Sequence, residues 1–298
     1  EERNLINLKF KILKTSEIDK ELFNDYIISF NNIFKKNYDV SYFLKKYKET
    51  PLKYSFHSFL IVNKKILGAC TIIPYEYNLS SEVKFIGLAV DTFILEDFRK
   101  KNPFILYKLY NNLKKKLIDY NLIGVVSVPN DNAFQYWTKI NKFKYLGNLQ
   151  YNIFIKNPIF LTKLKFKIFN KFFYKFNYLI NNFFSILNSN KLNKKVYLRK
   201  HNNFLIHRYR NNQIIFKTKD FFCAFAIDNI KGFDCLYLID FYNRKNNFKN
   251  IKSLLFAIKK SEQFNVDFIL YVGKFNFLQT FFLKIPEIFH LRSLKFVI

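Results

Sequence analysis

A long amphipathic segment held between two apolar strands limits this chain more than any other feature. Phe85 to Thr92 (FIGLAVDT) is an apolar run, and beyond Arg99, Lys100, Lys101, Asn102 and Pro103 the residues Phe104, Leu106, Tyr107, Tyr110, Leu113 and Leu117 recur at helical spacing. Leu122 to Val128 (LIGVVSV) then reads as a continuous apolar strand. Proline is tolerated at the first position of a helix, where its missing N–H would have had no partner, so Pro103 predicts a helix start. Arg99 to Asn102 are then expected at a helix N-terminus. Free backbone N–H groups, the positive end of the helix dipole and three cationic side chains would suit a phosphate or pyrophosphate there. A solvated basic loop is the competing reading.

Around this segment the other elements fall in a readable order. Asn7 to Leu13 (NLKFKIL) alternates as a strand, Ser16 to Phe34 reads as a helix with Ser16 as its N-cap, and Asp39 to Tyr47 reads as a second helix. Ser58 to Asn63, a turn at Lys64-Lys65, and Ile66 to Pro74 predict a hairpin. Pro129, Asn130, Asp131, Asn132 and Ala133 follow the second apolar strand and lead into a short helix from Phe134 to Phe143.

This order, from roughly Asn7 to Tyr151, resembles the GNAT superfamily of acyl-CoA-dependent N-acyltransferases. In that family the loop before the long helix, commonly Arg-x-x-Gly-x-Gly or Ala, binds the CoA pyrophosphate. Arg99 stands at the arginine, Asn102 at a glycine with Pro103 after it, and Asn130 or Asn132 with Ala133 matches an Asn-x-x-Ala segment. Lys142-Phe143 stands where Gly-Phe is usual. The resemblance implies acetyl-CoA or another acyl-CoA as donor and no metal. Thr92, Arg99, Lys100, Lys101 and Asn102 are its expected ligands, together with Pro103, Phe104, Asn130 and Asn132. It also implies direct attack of an amine on the thioester, so the protein must take a proton from the ammonium and return one to the leaving thiolate. Asp91, at the end of its strand, is the expected base or amine ligand, with Glu96 and Asp97 read as solvated charges. Tyr136 is the expected acid, although the spacing also admits Trp137 or Thr138, and burial of Tyr136 in the core is the competing reading.

The C-terminal part repeats the pattern: Asp234 to Phe241 as strand, Asn243 to Asn247 as basic loop, Phe248 to Phe264 as helix and Val266 to Val272 as strand. The expected fold is α/β (α+β), with two GNAT-like mixed-sheet units in tandem at 1–155 and 193–298, the second degenerate. Between them, in 156–192, Lys163, Lys167, Lys171 and Lys175 recur every four residues opposite Leu164, Ile168, Phe172, Phe176 and Phe183. This predicts a basic amphipathic helix, either lying on an anionic leaflet or packed as a connector with a solvated lysine face. Asn202 to Tyr209 (NNFLIHRY) resembles a Phe-Leu-x-Trp-Arg-Tyr element of tandem GNAT-like proteins from bacterial surface-polysaccharide gene clusters, with His207 in place of the tryptophan. His207 and Arg208 are therefore substrate-binding candidates, against a purely structural role.

Fifty lysines and arginines against twenty-two acids give a formal charge of +28, which calls for an acidic partner or surface. Three cysteines and four histidines without metal-ligand spacing argue against a zinc site and fit a reducing cytoplasm. No apolar run is long enough to span a membrane; the expected location is cytoplasmic, peripheral at the inner face of the membrane. The expected activity is acyl transfer to a primary amine, an amino sugar that is nucleotide- or lipid-linked. A FemAB-like aminoacyl transferase using aminoacyl-tRNA is the related alternative. The alternatives from other classes are a non-enzymatic membrane-surface protein and a nucleic-acid-binding protein, and the periodic apolar placement of the aromatics argues against the latter.

Overall fold

The residues that alternate or recur apolar in the sequence form two mixed sheets, each with its own helices. The structure, a computed structural model, describes residues 8–79, 82–102, 104–156, 196–209, 213–230, 232–273, 275, 282–287, 290 and 293–298. Pro103 and the lysine-phenylalanine segment from Phe160 to Leu187 lie outside the described residues.

The first unit takes residues 1–147, 198–208 and 294–298. Strand β1 (Lys9–Lys14) leads through a short 3-10 turn to helix α1 (Lys20–Phe34) and helix α2 (Val40–Tyr47). The cap of α1 is Asp19, whose carboxylate accepts from the Leu22 N–H at 2.8 Å, and not Ser16, which falls inside the 3-10 turn. Asp39 caps α2 in the same way. Strands β2 (Phe56–Val62), β3 (Lys65–Leu79) and β4 (Glu82–Ile94) run antiparallel. The β2–β3 turn is centred on Asn63 and Lys64, at φ +48° and +64°, the left-handed pair that a two-residue hairpin demands.

Helix α3 (Glu96–Lys101) and helix α4 (Ile105–Ile118) then carry the chain to β5 (Leu122–Ser127), which pairs parallel with β4. Helix α5 (Asp131–Gln135), a π turn (Tyr136–Ile140) and β6 (Tyr145–Asn148) complete the run. The basic segment expected as a loop is thus mostly helical: Arg99, Lys100 and Lys101 form the last turn of α3, and Asn102 caps its C-terminus. Four residues from Glu96 to Lys100 span one turn, and their 2.9 Å ion pair favours that helix over a loop.

Strand β7 (Tyr151–Ile155) belongs to the second sheet, so the division falls before it and not after 155 as the sequence order suggests. After the short strand β8 (Val196–Leu198), helix α6 (Asn202–Arg208) occupies the segment compared above with a sequence element of tandem proteins. The second unit contains β9 (Ile214–Lys217), β10 (Phe221–Ile230), β11 (Phe233–Asn243), helix α7 (Ile251–Ser261), β12 (Phe268–Val272) and β13 (Leu283–Lys284). Its strand order is β13-β7-β12-β11-β10-β9, with β11 and β12 parallel across α7. This is the same strand–helix–strand crossover as β4–α4–β5. The last strand, β14 (Lys295–Val297), is part of the first sheet, paired with β5 at Ser127.

Helices cover both faces of the first sheet over β2 to β4, whereas β5 packs through Val125 on one face and leaves Ile123 exposed. Leu106, Leu109, Leu113 and Leu117 of α4 pack with Leu60, Ile72, Ala89 and Val125 on one face. On the other, Phe23, Tyr26 and Phe30 of α1 and Phe43 and Tyr47 of α2 pack with Phe59, Ala69 and Phe93. His57 lies fully buried in that second layer, with its ring nitrogens 2.9 Å from Thr15 Oγ1 and 3.1 Å from Thr71 Oγ1. Burial pushes its pKa down to about 3. Because the unfolded chain takes up this proton near pH 6.5 and the folded chain does not, His57 contributes stability that is present above pH 6.5 and lost as pH falls toward 3. Chemical unfolding is expected to lose roughly 1 kcal/mol per pH unit from this one group as pH falls from about 6 to 4. A His57→Gln chain should show a flatter pH dependence by that amount.

Candidate functional site

Strands β4 and β5 stay paired from Phe85 opposite Leu122 to Ala89 opposite Ser127, and there β5 ends. Pro129 has no N–H with which to extend the ladder, and Asn130 turns the chain into α5, its side chain accepting from the Ala133 N–H at 2.8 Å. Strand β4 runs on to Ile94, paired only with β3. In the space beside its open edge lies a cavity of about 290 Å³, lined by Thr92, Phe93, Ile94, Arg99, Leu106, Asn130, Asn132, Ala133 and Tyr136, with Ile33 and Phe34 of α1. A larger hollow of about 900 Å³ shares Ile33, Ile94 and Arg99 with it and adds Lys35, Lys101 and Asn102.

Most residues expected to bind the donor therefore meet at one place, although they come from three separate segments. Thr92, Arg99, Asn130, Asn132 and Tyr136 share the narrow cavity, and Lys101 and Asn102 join Arg99 at the wider one. Lys100 turns instead to Glu96, and Phe104 is 64% exposed and lines neither. Lys35, absent from the sequence reading, enters because α1 ends there in a left-handed cap (φ +52°), beside the cavity. Among the described residues no side chain caps the N-terminus of α4, whose first turn brings Leu106 to the cavity wall. The cationic wall of Arg99, Lys101 and Lys35 forms a setting for an anion.

The three residues that the spacing allowed as acid separate clearly. Trp137 is buried and packs edge-on to Tyr110 and Phe143, and the Thr138 hydroxyl donates to the Phe134 carbonyl at 2.9 Å. Tyr136 is the one of the three on the cavity wall, placed there at the first residue of the π turn.

Asp91 sits at a β-bulge. The β3–β4 register passes from Thr71 opposite Val90 to Ala69 opposite Phe93, so Asp91 and Thr92 together face Cys70. Asp91 takes up the extra residue at φ +48°, a conformation that Asp adopts more readily than most. Its Oδ2 accepts from the Tyr47 hydroxyl at 2.5 Å and lies 2.5 Å from Lys46 Nζ, while the Tyr26 and Tyr47 hydroxyls are 2.6 Å apart. Burial first, and the Asp91 charge with it, hold the phenols of Tyr26 and Tyr47 well above the ordinary tyrosine pKa. Both are proton donors at any physiological pH. Lys46 Nζ also lies 5.6 to 5.9 Å from the ring centres of Phe30, Tyr42 and Tyr47. The bulge thus divides its two residues, Thr92 to the cavity and Asp91 to this polar cluster.

His207 and Arg208, read as substrate ligands, line neither cavity. His207 is buried against β3 with Nε2 3.4 Å from the Tyr75 hydroxyl, and Arg208 is exposed at the end of α6. The buried thiols of Cys70, Cys223 and Cys235 are pushed up to about 12, which leaves them unreactive. Among the described residues no group of three or more His, Cys, Asp or Glu could hold a metal.

No protein-family model matches the chain, and no curated protein matches it by sequence. Solved structures do. The chain superposes over 97% of its length on a GCN5-related N-acetyltransferase from Anabaena variabilis (TM-score 0.58, 11% identity, 72% of that chain). It superposes equally far on a probable N-acyltransferase from Enterococcus faecalis (TM-score 0.60, 10% identity, 72% of that chain). A GCN5-related N-acetyltransferase from Kribbella flavida gives TM-score 0.60 at 6% identity over 71% of that chain. The fold is therefore that of the GCN5-related N-acetyltransferases.

Asn130 and Asn132 differ in a way that stability can measure. Loss of the helix cap in Asn130→Ala should cost about 1 kcal/mol in denaturant unfolding. Asn132→Ala, which removes no cap, should leave the midpoint unchanged.

Proposed function

We propose that this chain transfers an acyl group from acyl-CoA to a primary amine, with the donor in the cavity beside the open edge of β4. The observation that carries this reading is the meeting of Arg99, Lys101 and Lys35 at the wider hollow, which shares Ile33, Ile94 and Arg99 with the narrow cavity beside β4. That arrangement suits a molecule with a pyrophosphate and a long thin arm, and the shared fold of two GCN5-related N-acetyltransferases and a probable N-acyltransferase supports the same donor. Arg99 binds the pyrophosphate, with Lys101 and Lys35 extending the cationic surface. The open backbone of β4 around Thr92 and Phe93 guides the arm.

In the reaction the amine must lose a proton before it attacks the thioester carbonyl. Asp91 is the base or the ammonium ligand, and the phenol of Tyr136 protonates the departing thiolate. The acceptor is an amino sugar, nucleotide- or lipid-linked, of surface-glycan assembly. Support for an anionic acceptor comes from the +28 charge. Exposed Phe104 and Tyr107, beside Lys101 and Lys108, support peripheral contact with an anionic membrane.

Calorimetric titration with acetyl-CoA and with free CoA, at moderate and high salt, tests the donor. Saturable one-site binding that survives salt is expected, and Arg99→Ala should weaken it about tenfold or more, as for loss of a charged hydrogen bond. Binding that vanishes with salt, or equal affinity in Arg99→Ala and wild type, would remove the donor site. With an acceptor in hand, Tyr136→Phe should lower kcat about 100-fold with little change in donor affinity.

A further inference from the structure

The polar cluster behind the bulge holds an amine in a position that structural support of Asp91 alone does not require. Tyr47 already donates to Asp91 at 2.5 Å and is itself fixed by Tyr26. Lys46 Nζ nonetheless sits 2.5 Å from the same carboxylate oxygen, under the rings of Phe30, Tyr42 and Tyr47, with its side chain still 21% exposed. A carboxylate with aromatic faces around it is the chemistry that binds a primary ammonium. Here the chain's own lysine fills it. The residue next to Asp91 is Thr92, which lines the cavity, and Phe34 and Phe93 extend the aromatic wall from one to the other.

We propose that Lys46 is an internal acyl acceptor, modified at Nζ by the acyl donor bound in the adjoining cavity. The inference rests on the donor reading given above. Asp91 takes one proton from the ammonium, and the freed nitrogen lone pair forms the N–C bond to the thioester carbonyl. The C–S bond breaks and the nitrogen's second proton ends on the departing thiolate, so that Lys46 becomes an amide, free CoA is released and one proton passes from Asp91 to solvent. The product has lost its charge and its ion pair. Asp91 is then open to the ammonium of an external acceptor.

Peptide mass mapping of the full chain incubated with acetyl-CoA tests this, with heat-denatured chain alongside. Lys45 is the internal control, since it neighbours Lys46 and is exposed. In the folded chain Lys46 should be acetylated about 100-fold faster than Lys45. In the denatured chain the two rates should be equal, and in Asp91→Asn and Arg99→Ala the advantage should be lost. Equal rates in the folded wild type would overturn the proposal, as would an advantage that persists in both variants. Calorimetry separates the two levels of failure. Acetyl-CoA binding without Lys46 acetylation removes the internal acceptor alone, whereas absence of binding removes the donor reading with it.

Discussion

The candidate site depends on one strand outlasting its neighbour. Beyond Ala89, β4 is held by β3 on one side only, because β5 stops at Ser127 and is followed by a proline and a helix cap. Closing this gap would require a further length of β5, and Pro129 cannot donate to such a ladder. The open edge is therefore built into the sequence, and its backbone groups face a cavity instead of a neighbouring strand. The bulge at Asp91 and Thr92 adds to this. One extra residue in β4 is what lets consecutive side chains serve different sides of the site, a cavity wall and a buried polar cluster.

What could be read from the sequence and what could not divide along physical lines. Apolar periodicity fixes elements whose buried face is local, so α4, β5, α2 and the repeated crossover around α7 fall close to their expected places. Caps compete at short range, and Asp19 outweighs Ser16 because it directly precedes the first helical turn. The basic segment misleads because Glu96 and Lys100 can pair only if the chain coils, and charge alone does not announce that. Strand β14 has three residues and acquires its meaning only when it meets Ser127. Register is another property of pairing, so no local pattern marks Asp91 as a bulge. Lys46 and Tyr47 stay hidden for a simpler reason, that lysine and tyrosine are abundant throughout this chain. The helix from Asp39 does place Tyr42 and Lys46 on one face, four residues apart, but that pattern by itself names no partner.

The second unit shows what the same crossover becomes when it satisfies itself. Its β10–β11 register also shifts, between Ala224 and Phe225, and places a carboxylate, Asp240, just after the shift. Asp240 accepts from the Tyr209 hydroxyl at 2.7 Å and lies 3.2 Å from Lys249 Nζ, which also donates to the Tyr271 hydroxyl at 3.0 Å. Burial works against the charge on Lys249, but Asp240 and Tyr271 outweigh it and raise its pKa. The start of α7 is closed by a reciprocal cap, Asn250 to the Ser253 N–H and the Ser253 hydroxyl to the Asn250 N–H. Lysine and helix start are both satisfied from within the chain.

The contrast gives a physical reason for assigning the two units different roles. A helix start that already has its hydrogen bonds gains little from an anion, because a ligand must displace a partner as well as pay its own desolvation. At α4 no described side chain occupies that position, and Arg99 lines the cavity instead. The same comparison bears on the two lysines. Each lysine is held by a carboxylate that also accepts from a tyrosine hydroxyl, Lys46 by Asp91 with Tyr47 and Lys249 by Asp240 with Tyr209, and what sets Lys46 apart is that Thr92, the neighbour of Asp91, lines the cavity. The two units thus differ in which groups each keeps for its own stability, while both have a parallel strand pair joined across a helix.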